Sequence, residues 1–297
     1  MVTRRVLERR AFLKPNRWVR QLMGYLLAVG CARYDIGLLA ATVMSNHVHL
    51  VVEDRGGRLP AFMGWLDGFV ARAVNRRRGR SDRFWDGKQF HAEALLDEAA
   101  VARAIAYVLA NPVAAGAVAT ARTWPGLWTG PAACARAPEV FARPTFFFGR
   151  GWPETAALVV QTPQALAHDA ARAAGILGAL LDQREEALRA AATKEKRRFG
   201  SRESALAIDW DTSPSPRSRG PGSDDGERTQ ATRPRPLARG ASALVESFVE
   251  RVLAFRRAYR VALDDFRGGG IASAFPPGTW LMRLTVPWLL VAAEAPG

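Results

Sequence analysis

Residues 40–53 read AATVMSNHVHLVVE, a pattern typical of two β-strands joined by a tight turn at Ser45-Asn46. Apolar residues flank the tripeptide His47-Val48-His49 on both sides, so we expect it in a buried strand. Residues two apart on a strand point to the same face. The two imidazoles should therefore lie side by side, with the intervening valine on the opposite face. They would supply half of a metal site on a rigid support.

The pattern around this hairpin predicts an α+β fold. The elements follow one another as strand, helix, strand, strand, helix, strand, helix. This order is typical of a ferredoxin-like antiparallel sheet with helices on one face, followed by one added helix. The strands are expected at residues 6–13, 36–44, 47–52 and 90–96, and the helices at 18–33, 59–76 and 98–110.

The sequence changes character after Trp124. Residues 165–193 are rich in Ala and Leu, whereas residues 211–240 are rich in Pro, Ser, Gly and Arg and have no apolar period. Residues 243–266 have the spacing of an amphipathic helix. We therefore expect a first domain at 1–130, a mostly helical accessory region at 131–210, a disordered linker at 211–240, and a C-terminal helix and tail at 241–297.

The charge of the chain favours a polyanionic partner. The sequence has 42 Lys and Arg against 28 Asp and Glu, a net charge of +14. Residues 1–130 carry 19 of these basic residues and 10 of the acidic ones, so the surplus is densest around the histidine pair. The run Arg76-Arg77-Arg78-Gly79-Arg80 is either a solvated basic loop or a segment that binds the backbone of a nucleic acid. On the second interpretation Arg76, Arg77, Arg78 and Arg80 contact phosphates.

Other classes of protein are disfavoured by the composition. Two cysteines, Cys31 and Cys134, are too few for a disulfide scaffold or a cysteine-rich zinc site. No apolar segment of a signal peptide follows the basic residues 1–10. The apolar stretch at 284–293 is too short to span a membrane. We expect a cytoplasmic, nucleoid-associated protein without a membrane partner.

The helix expected at 98–110 offers the groups that would complete a metal site. Tyr107 and Asn111 are four residues apart, so they should share one helical face. Two imidazoles and the amide oxygen of Asn111 suit Mg²⁺ or Mn²⁺ with open positions for phosphate oxygens. Tyr107 would supply a hydroxyl nucleophile beside a polarised phosphate and form a covalent phosphotyrosine.

The segments MSNHVHLVV at 44–52 and AYVLANPVAAG at 106–116 together resemble the HUH single-tyrosine transposases, and most closely the REP-associated tyrosine transposases. RFWD at 83–86 is similar to a further segment of that family. The resemblance covers roughly residues 1–130. It implies His47, His49 and Asn111 as metal ligands and Tyr107 as the nucleophile.

The resemblance implies a metal-dependent endonuclease and strand transferase. It would act on single-stranded or hairpin-forming DNA through a 5′-phosphotyrosine intermediate, as a monomer or homodimer. The chain departs from the family pattern at Ser45, where many members have Pro. The family's first central strand corresponds to residues 2–5 here and is expected to be short. A short central strand favours the alternative of a catalytically inactive DNA- or RNA-binding regulator with the same fold. A hydrolytic metallonuclease with water as the nucleophile is a second alternative.

Overall fold

The protein is described from a computed structural model of the whole chain. The structure describes residues 1–87, 89–163, 166, 169–213, 238–270, 273–276 and 279.

A four-stranded antiparallel sheet forms the centre of the first 100 residues, in the order β2-β3-β1-β4. The strand β1 lies between β3 and β4 and pairs with β3 from Val2 opposite Leu50 to Arg5 opposite His47. The first strand is therefore short, as expected, but it pairs with β3 over its whole length and with β4 at Val2 and Thr3. The four strands are β1 at Val2–Arg5, β2 at Ile36–Val43, β3 at His47–Asp54 and β4 at His91–Ala92.

The helices of this region begin and end close to the expected positions. The Asn16 side chain caps the first helix by accepting from Val19 N, and Asp97 caps the third by accepting from Ala100 N. The α+β class with a mostly helical C-terminal part is thus confirmed. The helices are α1 at Arg17–Tyr34, α2 at Leu59–Arg78, α3 at Glu98–Leu109, α4 at Asn111–Ala114, α5 at Ala170–Lys194, α6 at Arg202–Ala207 and α7 at Ser242–Arg267.

Helices cover both faces of the sheet. Helices α1 and α2 pack on the face that carries Val48 and Leu50. The added helix α3 and the later helix α5 pack on the opposite face, against Ala40 and Val51. Helices α1 and α2 form the expected layer on one face of the sheet. The added helix α3 lies on the other face. The reason is the alternation of β3, which buries apolar side chains in one direction and presents its histidines in the other.

The segment 6–13 is not a strand, which corrects the expectation. Val6 makes a single bridge to Trp85, and residues Leu7–Arg9 form a 3₁₀ turn. Glu8 and Arg9 have positive φ angles of 52° and 55°, which break any extended run. The segment wraps around the β2–β3 turn, where Val6 N donates to Asn46 O. The two-residue turn at Ser45-Asn46 is as predicted, closed by the bond from Met44 N to His47 O.

The expected strand at 90–96 is divided into two short strands, because the chain leaves the sheet after Ala92. The second piece, β5 at Ala94–Leu95, pairs with β8 at Ala238–Arg239. The hairpin of β6 at Glu139–Ala142 and β7 at Thr155–Leu158 packs on α1 and was not predicted.

The later segments correspond to the expected order. Helices α5 and α7 occupy most of the two helical stretches expected at 165–193 and 243–266. The larger part of the expected linker, residues 214–237, and the tail from residue 280 lie outside the described residues, as does His168. The division of the chain at about residue 130 stays a prediction. None of the helices that the structure describes combines the length and apolarity needed to cross a membrane.

Candidate active site

The two histidines project from β3 onto the face covered by α3. Their ring centroids are 4.6 Å apart, with the planes nearly perpendicular. Val48 lies in the core on the opposite face, as the spacing predicts. The hairpin therefore fixes the two imidazoles side by side without any contribution from a loop.

The tautomer of His47 follows from its neighbours. Asn46 Nδ2 donates to Arg9 O at 3.1 Å, and this bond fixes which atom of the amide is the oxygen. Asn46 Oδ1 lies 2.6 Å from His47 Nδ1, so Nδ1 must carry the proton and donate it. The other ring nitrogen, Nε2, is then left with a lone pair.

His49 is held by the neighbouring strand. Its Nδ1 lies 2.9 Å from the hydroxyl of Thr3, which is directly opposite it on β1. The side chain is buried, with 5% of the residue exposed. Metal-binding histidines usually bond their second ring nitrogen to a polar neighbour that orients the ring, and both histidines have such a neighbour here.

The end of α3 brings Tyr107 and Asn111 to the histidines. The ring of Tyr107 stands edge-on to His49 with centroids 5.6 Å apart. Asn111 Oδ1 lies 3.0 Å from His47 Nε2. Regular helix ends at Leu109, and α4 begins at Asn111, but Ala110 between them keeps near-helical angles of −79° and −2°. The four-residue spacing therefore places both side chains on the same side, as expected.

Two hydrogen bonds attach this end of α3 to the sheet region. The buried hydroxyl of Thr42 on β2 donates to Val108 O at 2.8 Å. Trp128 Nε1 donates to Leu109 O at 2.9 Å. Both acceptor carbonyls lie within two residues of Tyr107. The two bonds therefore hold this end of α3 in place and help to position the Tyr107 ring against His49.

Electrostatics keeps both histidines neutral. Burial lowers the pKa of His47 to about 4, and it lowers the pKa of His49 well below its usual value. The positive charge of Arg5, which pairs with His47 in the β1–β3 register, acts in the same direction on both rings. Neutral imidazoles are the form that binds metal ions.

The donor set fits a divalent cation. His47 Nε2 and Asn111 Oδ1 lie 3.0 Å apart, close enough either to hydrogen-bond or to bind one cation together. Imidazole nitrogens and an amide oxygen are groups that Mg²⁺ or Mn²⁺ can bind. Among the described residues no group of three or more His, Cys, Asp or Glu side chains could hold a metal ion. A site here thus depends on Asn111 as the third ligand.

The four arginines at the end of α2 differ in their surroundings. Arg76 and Arg77 are exposed, although Arg77 also stacks on Trp18 with its guanidinium carbon 4.6 Å from the ring centroid. Arg78 and Arg80 are half-buried and both stack on Phe12, at 4.7 Å and 4.3 Å. Arg78 also pairs with Asp211 at 3.2 Å. The exposed pair is therefore the better placed for phosphate contacts, whereas Arg78 and Arg80 already have partners within the protein.

Arg80 also lines an open cleft of about 440 Å³ with Arg10 and Arg83. The same cleft contains the carboxylates of Glu8 and Asp82, which offset part of its positive charge. None of the four side chains His47, His49, Tyr107 and Asn111 lines it.

Besides the role of Asn46, which was expected only as a turn residue, sequence reasoning missed two groups that touch the site. Thr3 bonds His49, but a lone threonine in a first strand carries no signal of such a role. Arg184, on α5, lies over the ring of Tyr107, with its guanidinium carbon 5.0 Å from the ring centroid. Its distance of 77 residues along the chain from the tyrosine left no spacing from which to predict the contact.

Comparison with known proteins gives a family match in the first part of the chain. Residues 3–102 match the family described as transposase IS200 like. The match includes both histidines and ends before Tyr107 and Asn111. No curated protein and no solved structure matches the chain significantly. The match covers about a third of the chain and supports an IS200-like transposase domain of the HUH type in residues 3–102.

Proposed function

We propose that this protein cleaves and rejoins single-stranded DNA through a covalent bond to Tyr107, with a divalent cation bound by His47, His49 and Asn111. One observation carries the proposal. The tyrosine ring and the Asn111 oxygen, both from the end of α3, meet the two imidazoles of β3 at one point on the sheet. A nucleophile and a set of neutral metal ligands are thus held on two rigid elements.

In the proposed reaction the Tyr107 hydroxyl oxygen attacks phosphorus. A bond forms between that oxygen and phosphorus, and the bond from phosphorus to the 3′ oxygen breaks. The phenolic proton is lost and the departing 3′ oxygen gains one, so the step is neutral in protons. The 5′ end of the DNA remains on the tyrosine, and attack by another 3′-hydroxyl reverses the step and joins two strands without ATP.

The residues around the tyrosine orient the reacting groups. Asn46 and Thr3 hold the rings of His47 and His49, and the bond from Thr42 to Val108 O fixes the end of α3. When bound, Mg²⁺ or Mn²⁺ would supply Lewis-acid polarisation of the phosphodiester. Arg76 and Arg77 would hold the backbone of the unpaired strand, and hairpin-forming repeats are the proposed substrates.

The alternative of an inactive regulator has no specific observation in its favour. It was motivated by a short first strand, but β1 pairs with β3 over its whole length and with β4 at Val2 and Thr3, and it contributes Thr3 to the site. The hydrolytic alternative is separated from the tyrosine mechanism by experiment, because water leaves no protein on the DNA.

The test uses the full chain with Mn²⁺ and a hairpin-bearing single strand labelled at its 3′ end. We expect the label to migrate with the protein on a denaturing gel, and peptide mapping to find the nucleotide on Tyr107. Cleavage with no labelled protein at any time would favour water as the nucleophile. Chelation of the metal in the same assay should remove both products, since the phosphodiester would lose its polarisation.

A further inference from the structure

Arg184 stands beside the candidate nucleophile, although it comes from a helix outside the IS200-like domain. Helix α5 follows the matched residues 3–102 by almost 70 residues. The Arg184 guanidinium carbon lies 5.0 Å from the centroid of the Tyr107 ring. A cation over an aromatic face at this distance attracts the ring and restricts its rotation.

The guanidinium is kept in an unfavourable environment. Arg184 Nε is buried and has no hydrogen-bond partner in the described part of the chain. A buried donor without a partner has lost its hydrogen bonds to water and gained none in return, which is unfavourable. Burial also lowers the pKa of Arg184. The attraction between the guanidinium and the Tyr107 ring offsets part of this loss.

The position of α5 is firmly fixed. Leu177 and Leu181 are buried in the cluster that includes Ile105 and Val108 of α3. Glu185, with 3% of the residue exposed, accepts from Ala121 N at 2.8 Å. Arg184 lies between these anchors, so its guanidinium is delivered to Tyr107 by a rigid helix.

We propose that Arg184 is a positioning residue of the active site. It holds the Tyr107 ring at the angle from which the hydroxyl attacks phosphorus, and it places a positive charge near the phosphate that becomes bonded to that oxygen. The accessory region thereby completes the catalytic site. The inference rests on the proposed function of Tyr107 as the nucleophile.

The test measures the single-turnover rate of covalent adduct formation by the full chain, with 3′-labelled hairpin DNA and Mn²⁺. Arg184→Met keeps the length of the side chain and removes the charge, and Arg184→Lys keeps the charge. Arg172→Met, an exposed arginine on the same helix, is the matched control. DNA affinity and melting temperature are measured for each variant.

We expect Arg184→Met to slow adduct formation about 10- to 100-fold, because a small misplacement of a reacting group costs this much. DNA affinity should stay within about twofold. Arg184→Lys should recover part of the rate, and Arg172→Met should react like the wild type. In Arg184→Ala, added methylguanidinium should raise the rate whereas urea should not, which separates a positioning cation from simple packing.

Wild-type rates in Arg184→Met would overturn the inference while leaving Tyr107 as the nucleophile. Equal losses in the Met and Lys variants, with no response of Arg184→Ala to methylguanidinium, would overturn it as well and reduce Arg184 to packing. If the wild type itself forms no adduct, the proposed function fails and the inference fails with it.

Discussion

The two faces of the central sheet are built from the same strands but differ in the side chains they carry. The face under α1 and α2 is apolar and buries Leu38, Val48 and Leu50 at close to 0% exposure. The face under α3 carries His47 and His49, which are bonded to polar neighbours rather than packed among large apolar side chains. On the proposed function, the first face stabilises the fold and the second carries the chemistry. Substitutions on the two faces should therefore have separable effects.

The largest effect is expected from the three proposed metal ligands. His47→Ala and His49→Ala should each abolish cleavage, because one imidazole and the Asn111 oxygen cannot hold the cation alone. Asn111→Ala should lose less, since water can replace an oxygen ligand. The check is cleavage of single-stranded DNA with Mn²⁺, together with circular dichroism to show that each variant is folded. Full cleavage by either histidine variant would contradict the metal assignment.

A substitution on the opposite face should act on stability instead. Leu50→Ala removes a fully buried side chain next to the histidines in sequence and should lower the free energy of unfolding by about 2–5 kcal/mol. At a temperature where the variant is still folded, its cleavage rate should be close to that of the wild type. Urea unfolding and the nicking assay check the two parts. A variant with normal stability and no activity would show that the faces are not separable.

The bond between Thr42 and the end of α3 crosses from sheet to helix on the histidine face. Thr42→Val keeps the shape and removes the donor, leaving Val108 O without this partner. We expect a loss of about 1–3 kcal/mol in unfolding free energy and a slower adduct rate. Thr129→Val, whose hydroxyl contacts the backbone of Ala41 instead, is the control and should leave the adduct rate nearly unchanged. Equal rates in the two variants would mean that the Thr42 bond does not position Tyr107.

We expect the four arginines at the end of α2 to divide into an exposed pair that binds DNA and a half-buried pair that packs. Arg76→Ala with Arg77→Ala should flatten the log–log salt dependence of single-strand binding by up to ~0.7 for each lost phosphate contact. Arg78→Ala with Arg80→Ala should chiefly lower the melting temperature, because these two stack on Phe12. Binding titrations at several salt concentrations separate the two pairs. An unchanged slope for the exposed pair would place the DNA path elsewhere.

The smallest effect concerns an acid on the apolar face. Burial raises the pKa of Asp67 to about 6, although Arg4 Nε lies 2.7 Å away and opposes the shift. Because the folded pKa is above the unfolded value near 4, the folded state binds the proton more tightly. This group's contribution to stability should therefore fall as the pH rises from about 4 to 6 and change little above that. Asp67→Asn should remove this slope in urea unfolding measured across the range. A slope that survives the substitution would assign the effect to another group.

The features that depend on local sequence pattern were predicted correctly from the sequence. Alternation placed His47 and Val48 on opposite faces, and the four-residue spacing placed Tyr107 with Asn111. The failures have physical reasons. The segment 6–13 reads as apolar, but two positive φ angles turn it around the hairpin loop. The contact of Arg184 with Tyr107 depends on how α5 packs across α3, and no local periodicity records a contact between such distant residues.

The most direct measurement is adduct formation by Tyr107→Phe. This change removes one hydroxyl and leaves the ring, the contact with His49 and the stack under Arg184 in place. The account predicts no covalent protein–DNA product, with single-strand affinity and melting temperature close to those of the wild type. An adduct formed by the Phe variant at the wild-type rate would show that another residue is the nucleophile and would contradict the account.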